Sequence, residues 1–153
     1  MTSLCCDVLK ALEGRTLVTA ESCTGGGIGH ALTAVPGSSA AYKGGVISYT
    51  NAVKESVLGV SRTVLETKGA VSEETARLMA EGVRKVIGSD LGISVTGLAG
   101  PDVDGSGKPV GLVYIGAADG NQTIVQEFVF TGNREVIRNK AIAEAIQLAL
   151  TLV

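Results

Sequence analysis

The sequence is poor in the aromatic and basic side chains that bind nucleic acids. It has no tryptophan, only three tyrosines and two phenylalanines, and its 13 Lys and Arg residues are outnumbered by 15 Asp and Glu residues. A nucleic-acid interface needs a basic surface to neutralise phosphates, and aromatic rings on which unpaired bases stack. With a formal net charge of -2, the chain is not expected to have a nucleic-acid partner.

The sequence also lacks a long hydrophobic run. Its longest stretch without Asp, Glu, Lys or Arg, from Ser22 to Tyr42, contains three consecutive glycines, His30 and Pro36. A membrane-spanning helix needs a predominantly apolar segment of that length. The first ten residues have neither a basic region nor a long apolar region, as a secretory signal peptide would. We therefore expect a cytoplasmic protein with no membrane partner.

Cysteine and histidine are too few for a metal centre or a disulfide framework. The three cysteines are Cys5, Cys6 and Cys23, and His30 is the only histidine. The odd number of cysteines and the absence of a second Cys or His cluster argue against both kinds of site. We expect no metal and no cofactor.

Apolar segments with strand and helix periodicity alternate along the chain, which is 45% hydrophobic and has 21 glycines. This alternation predicts a single α/β domain over residues 1–153, a three-layer α/β/α sandwich with a mixed, mainly parallel sheet. Residues 110–130 are expected to form an antiparallel hairpin. The predicted strands are 16–20, 45–49, 91–96, 110–118 and 123–130. The predicted helices are 3–13, 26–33, 51–58, 73–87 and 134–152, with Asn51 and Ser72 as the N-caps of the third and fourth helices and Gly88 at the end of the fourth.

Three loops rich in Gly, Ser and Thr carry the candidate chemistry. The first, Thr19-Ala-Glu-Ser-Cys-Thr-Gly-Gly-Gly, follows a strand and opens a helix, and the third, Thr96-Gly-Leu-Ala-Gly-Pro-Asp, also begins where a strand ends. Loops at the carboxyl ends of strands are where α/β folds place ligands, and free N–H groups there attract anions. A purely structural role is the alternative to ligand binding: the first loop would be a tight strand-to-helix turn, and the third a flexible surface loop. The residues alone predict an anion- or phosphate-binding domain and leave open whether it is an enzyme.

The second loop region combines serines with an amine. It contains Ser39 in Pro36-Gly-Ser-Ser-Ala, then Tyr49 and Lys54 in Ser48-Tyr-Thr-Asn-Ala-Val-Lys. A serine hydroxyl becomes a nucleophile only when a base takes its proton. His30 is flanked by apolar residues in a predicted helix, so Lys54 is the remaining candidate base. A solvated surface lysine is the alternative.

These motifs together resemble the CinA C-terminal domain family. Besides the three loops above, Gly69-Ala-Val-Ser-Glu-Glu, Lys108-Pro-Val-Gly and the Thr131-Gly-Asn-Arg stretch fit the family pattern in order and spacing. The last of these departs slightly from the Pro-Gly-Asp-Arg form common in the family, which weakens any role assigned to it. The resemblance covers nearly the whole chain.

The resemblance implies a stand-alone domain with nicotinamide mononucleotide deamidase activity. Such an enzyme hydrolyses the carboxamide of nicotinamide mononucleotide to give nicotinic acid mononucleotide and ammonia, a step that recycles pyridine nucleotides. The main alternative is a non-catalytic nucleotide-binding or regulatory module associated with competence or DNA damage. The resemblance also points to a homo-oligomer, a dimer or higher, whose only other partner is its nucleotide substrate.

The family's Ser/Lys arrangement, carried onto this sequence, makes Ser39 the first choice of nucleophile and Lys54 the base. Tyr49 would assist, and Ser22 is the rival nucleophile, which the sequence does not separate from Ser39. Thr96, Gly97 and Ala99 would line the carboxamide end of the substrate or donate to an oxyanion, and Gly25, Gly26, Lys108 and Arg138 are candidates for its ribose-phosphate. The remaining candidate substrate-binding residues, from the first and third loops, are Glu21, Thr24 and Gly100.

Overall fold

The chain forms six helices and five strands. They come from a computed structural model that describes residues 1–153. The strands are β1 (Leu17–Glu21), β2 (Tyr42–Ile47), β3 (Leu91–Gly97), β4 (Leu112–Ala118) and β5 (Thr123–Val129). The helices are α1 (Thr2–Ala11), α2 (Gly27–Thr33), α3 (Asn51–Leu58), α4 (Arg62–Thr67), α5 (Glu73–Ile87) and α6 (Arg134–Ala149), with short 3-10 helices at Ser38–Ala40 and Leu150–Leu152.

The five strands form one mixed sheet in the order β2-β1-β3-β4-β5. β1 pairs in parallel with both β2 and β3, whereas β3–β4 and β4–β5 are antiparallel. The pairings are therefore divided evenly, although β4 alone runs against the direction of the other four strands. The predicted mixed sheet and the predicted hairpin at 110–130 are confirmed.

Helices cover both faces of the sheet, as predicted. On one face α1, α2 and α6 bury the larger core, which includes Leu17, Ile93 and Ile146. On the other face α3, α4 and α5 bury a smaller core around Val18 and Met79. Because both faces are covered, all five residues of β1 are buried, which is typical of a strand in the middle of an α/β sheet.

Side-chain caps define the starts of the helices on the smaller-core face. Ser72 accepts a hydrogen bond from the Thr75 amide at 3.1 Å, as its predicted role as N-cap of α5 requires. The cap of α3 is Thr50 rather than the predicted Asn51, because the Thr50 hydroxyl accepts from the Val53 amide at 3.3 Å. Helix α4 was not predicted, since its six residues are too few for a clear helical periodicity.

Parallel pairing brings the ends of three strands to the same edge of the sheet. The carboxyl ends of β1, β2 and β3 lead into the turn at 22–26, the segment 48–50 and the loop at 98–111. This edge is where an α/β sheet offers space for a ligand. None of the helices has the length and apolar content needed to cross a membrane.

Candidate active site

Ser22 and Lys54 meet at the carboxyl edge of the sheet. Ser22 follows β1 directly, and its amide donates to the Val95 carbonyl of β3 at 3.0 Å. Lys54 lies in the first turn of α3, and its ammonium donates to the Ser22 hydroxyl at 3.0 Å and to the Ser48 carbonyl at 2.7 Å. The serine oxygen and the lysine nitrogen are thus within direct proton-transfer distance.

Burial changes the acidity of Lys54. Its side chain is 1% exposed, and the ion pairs of the molecule, Arg62–Glu55 and Arg77–Glu73, do not include it. Loss of hydration disfavours the charged form and lowers the Lys54 pKa to about 8. A substantial fraction of the amine is therefore neutral at mildly basic pH, and a neutral amine can accept a proton from Ser22.

A cavity of about 290 Å³ opens beside this pair. The predicted substrate-binding residues Thr96, Gly97, Ala99 and Gly100 lie in its wall, as do Tyr49, Ser22 and Lys54. The other residues that line the cavity are Cys23, Asn51, Ala70, Val71, Leu98, Asp102, Asp104 and Arg134.

Several backbone amides of the residues that line the cavity donate to no acceptor in the protein. Among them are the amides of Cys23, which follows Ser22, and of Ala99 and Gly100 in the loop after β3. Unpaired N–H groups next to a nucleophile are suited to hold a developing oxyanion. The Cys23 thiol is a poor competitor for the chemistry, because burial raises its pKa to about 11 and keeps it protonated.

Ser39, the first choice of nucleophile, is not brought to Lys54; the structure places Ser22 beside Lys54 instead. Ser39 is exposed and lies in the 3-10 helix that precedes β2. Because β2 runs parallel to β1, with Tyr42 opposite Leu17, the residues before β2 lie at the other edge of the sheet from Ser22. Ser39 is absent from the cavity wall.

Glu21 and Thr24 have a structural role instead of lining the cavity. The buried Glu21 carboxylate accepts from the Thr24 hydroxyl at 2.7 Å and from the amides of Ile28 and Gly29 at 2.8 and 3.0 Å. It thereby satisfies the free amides at the start of α2. Gly25 and Gly26, which have φ values of 59° and 98°, form the turn between Ser22 and α2 and also lie outside the cavity wall.

Lys108 and Arg138, for which the resemblance implied a role at the ribose-phosphate, are not brought to the cavity and donate to backbone carbonyls instead. Arg138 donates to the carbonyls of Cys23 and Thr24 at 3.0 and 3.1 Å, so it holds the turn that carries Ser22. Lys108 donates to carbonyls of the segment 68–71. Neither side chain lines the cavity.

Arg134 lines the cavity although it was not among the predicted substrate-binding residues. Its guanidinium donates to the Gly100 carbonyl at 2.6 Å and to the Tyr49 hydroxyl at 3.1 Å. Tyr49 is 57% exposed at the cavity mouth and makes no hydrogen bond to Lys54. The Thr131-Gly-Asn-Arg stretch of the resemblance was the only signal for Arg134.

The fold and the site define a class: an α/β/α domain with a buried serine–lysine pair at the carboxyl edge of its sheet. The chain belongs to the CinA C-terminal domain family, whose sequence model matches residues 2–153. Solved structures similar to it include the competence/damage inducible protein CihA from Agrobacterium tumefaciens, with a TM-score of 0.95, 36% identity and coverage of 99% of this chain and 94% of that one. A CinA superfamily protein from Escherichia coli matches with a TM-score of 0.96 and 32% identity over 99% and 90% of the two chains.

Curated relatives are longer than this chain. A protein of Caldanaerobacter subterraneus named as competence-damage inducible is 48% identical over 143 residues, which cover 92% of this chain and 35% of the relative. A CinA-like protein of Synechococcus is 46% identical over 95% of this chain and 36% of its own length. The chain therefore corresponds to one part of these relatives.

Proposed function

We propose that this domain is an amidohydrolase that deamidates nicotinamide mononucleotide to nicotinic acid mononucleotide and ammonia, with Ser22 as nucleophile and Lys54 as base. The observation that carries the proposal is the 3.0 Å contact between the Ser22 hydroxyl and the buried Lys54 amine. A lysine held in this way, with its pKa lowered to about 8, supplies the base that a serine nucleophile needs. Membership of the CinA family agrees with the proposal.

In the first half of the reaction, neutral Lys54 takes the proton of Ser22 while the serine Oγ attacks the carboxamide carbon. The negative charge that develops on the carboxamide oxygen is held by the free amides of Cys23, Ala99 and Gly100. One such donor is worth about 3 kcal/mol of transition-state stabilisation. The C–N bond then breaks, Lys54 returns its proton to the nitrogen, and ammonia leaves an acyl-serine.

In the second half, water replaces ammonia and the same residues act again. Lys54 takes a proton from the water as its oxygen attacks the acyl carbon. The bond to Ser22 breaks, the proton passes from Lys54 to the serine oxygen, and the carboxylic acid product leaves and releases its remaining proton to solvent. Both halves start from neutral Lys54, so one base serves the whole cycle.

The phosphate end of the substrate is assigned to Arg134. Apart from Lys54, it is the only cationic side chain in the cavity wall. Two of its nitrogens already contact Gly100 and Tyr49, which holds the guanidinium at the mouth with N–H groups to spare for phosphate oxygens. Lys108 and Arg138 are less suited to this role because neither side chain lines the cavity.

The test is ammonia release from nicotinamide mononucleotide by the purified wild-type protein and by three variants. Ser22→Ala and Lys54→Met should each lower kcat/KM by about 1,000-fold or more, since each removes one member of the reacting pair. Ser39→Ala is the matched control, a serine outside the cavity, and should stay within about twofold of the wild type.

Two results would contradict the proposal. Turnover that survives Ser22→Ala but not Ser39→Ala would transfer the role of nucleophile to Ser39. A wild-type protein that releases no ammonia, while nicotinamide mononucleotide still raises its melting temperature, would be a nucleotide-binding module and not an enzyme.

A further inference from the structure

Side chains hold the carbonyl groups of a short backbone segment, residues 68–71, of which Ala70 and Val71 line the cavity. Each of its four consecutive carbonyl groups accepts a hydrogen bond from a side chain of another residue. The amides of Lys68 and Gly69 donate to the Val64 carbonyl at 2.8 and 3.1 Å, but the segment has no helix or strand of its own, so its position on the cavity side depends on the side-chain donors. The bonds run from Lys108 Nζ to Lys68 O at 2.7 Å and to Val71 O, from Ser72 Oγ and Thr75 Oγ1 to Gly69 O at 3.0 and 2.7 Å, and from Thr96 Oγ1 to Ala70 O at 2.7 Å.

Lys108 differs from the other donors, which belong to α5, its N-cap residue and β3. It lies in the loop at 98–111, whose turn is shaped by Asp104: the Ser106 amide donates to the Asp104 carboxylate at 2.9 Å, and the Lys108 amide donates to the Ser106 hydroxyl at 3.2 Å. From this turn the Lys108 side chain crosses to the segment 68–71. A single ammonium therefore joins two parts of the chain that no backbone hydrogen bond connects.

Both of the joined parts line the cavity. The loop contributes Leu98 to Gly100 together with Asp102 and Asp104, and the segment contributes Ala70 and Val71. Lys108 itself does not line the cavity. It is consequently placed to set the width of the cavity without touching what the cavity holds.

We propose that Lys108 is a positioning residue for substrate binding: its bridge between the loop at 98–111 and the segment 68–71 keeps the cavity at the width that the substrate needs. The inference rests on the proposed function for the identity of the substrate. The bridge consists of two hydrogen bonds from a charged donor, which are stronger than neutral ones. Methionine has a similar shape and cannot make them.

Loss of the bridge should act on binding more than on chemistry. Without it the loop samples open positions, and binding then has to select the closed one, which lowers the apparent affinity. Ser22 and Lys54 are held by β1 and α3, which the bridge does not contact. Lys108→Met is therefore expected to raise KM for nicotinamide mononucleotide about tenfold and to leave kcat within about threefold.

The matched control is Lys43→Met. Lys43 also donates its ammonium to a backbone carbonyl, that of Gly88 at 2.7 Å, but it lies at the other edge of the sheet, near the start of β2. It should leave KM unchanged. Lys108→Arg, which retains charged donors of similar reach, should recover most of the loss in KM.

A second measurement, amide hydrogen exchange without substrate, keeps the test independent of activity. In Lys108→Met, exchange should accelerate by about tenfold or more at the hydrogen-bonded amides of the segment 68–71 and the loop at 98–111, which include Gly69, Leu98 and Ser106, and remain unchanged in α1 and α6. If Lys108→Met leaves exchange in these two regions unchanged, or leaves KM unchanged, the proposed role of Lys108 is wrong. Faster exchange throughout the chain with a lowered melting temperature would also overturn it, since Lys108 would then be a general stabilising residue. If the wild type shows no turnover, the proposed function fails. The exchange data still test whether Lys108 holds the loop at 98–111 to the segment 68–71.

Discussion

At the scale of single residues, Lys54 is the least expected feature of the molecule. A buried ammonium without a carboxylate partner costs free energy of folding, and natural cores avoid it. Here the cost is partly offset by the Ser22 hydroxyl and the Ser48 carbonyl, which accept its hydrogen bonds. Strongly perturbed groups of this kind in a cavity are typical of catalytic sites.

The acidity of Lys54 predicts the pH dependence of the reaction. Because the base must be neutral to accept the Ser22 proton, kcat/KM for nicotinamide mononucleotide should rise with pH and level off above a pKa of about 8. Steady-state rates between pH 6 and 9.5 would measure this, with circular dichroism at each pH to confirm that the protein stays folded. A profile that is flat, or that falls through pH 8, would exclude neutral Lys54 as the base.

At the scale of elements, the position of Lys54 depends on how closely α3 packs against α5. Gly82 of α5 faces the carbonyl of Leu58, the last residue of α3, and a Cβ atom added at Gly82 would lie 2.0 Å from that oxygen. Backbone atoms at both sides leave no flexible group to move aside. The small residue therefore permits the approach of the helix that carries the base.

Gly82→Ala is expected to destabilise the protein by about 2 kcal/mol, because overpacking outweighs the roughly 1 kcal/mol that alanine gains in a helix. Urea denaturation of the variant would give this value. Gly120→Ala is the matched control, since its added Cβ would meet only the mobile end of Arg84 at 3.2 Å; it should change stability by less than about 0.5 kcal/mol. A Gly82→Ala protein as stable as the wild type would show that α3 can shift freely.

At the scale of the whole molecule, the Lys54 pKa links the proposed catalysis to stability. The folded protein holds Lys54 at a pKa of about 8, below its ordinary value of 10.5. Between these two values the unfolded chain binds more protons than the folded one, so stability contributed by this group rises with pH. Below pH 8 the lysine is charged in both states and the cost of burying the charge is present in full.

A comparison of the wild type with Lys54→Met isolates this contribution. From pH 8 to 10.5 the free energy of unfolding of the wild type should increase relative to that of the variant, by on the order of 3 kcal/mol. Guanidinium denaturation of both proteins at matched pH values would measure the difference, in which the other titrating groups cancel. If the free energies of unfolding of the two proteins change in parallel between pH 8 and 10.5, Lys54 is not desolvated.

The order of strands and helices was largely predictable from the sequence, because hydrophobic periodicity and capping residues act locally. Ser72 and Gly88 mark the two ends of α5 as expected. The short helix α4 and the true start of β2 were missed, because both lie in segments with weak periodicity. Likewise, the content of Gly, Ser and Thr identifies the loops that form the cavity. It does not identify the hydrogen-bond partner of each side chain in those loops.

What the sequence by itself determined is therefore the α/β/α class, the three loops at strand ends and the candidate pair of a serine with Lys54. Only the tertiary structure shows which serine lies beside Lys54: parallel pairing of β1 and β2 places Ser22 at the edge where α3 begins and Ser39 at the opposite edge. The tertiary structure also places Arg134 in the cavity wall, and Lys108 and Arg138 outside it. These contacts join residues far apart in the chain, and no local pattern encodes such distances, because they depend on how the strands pair and the helices pack.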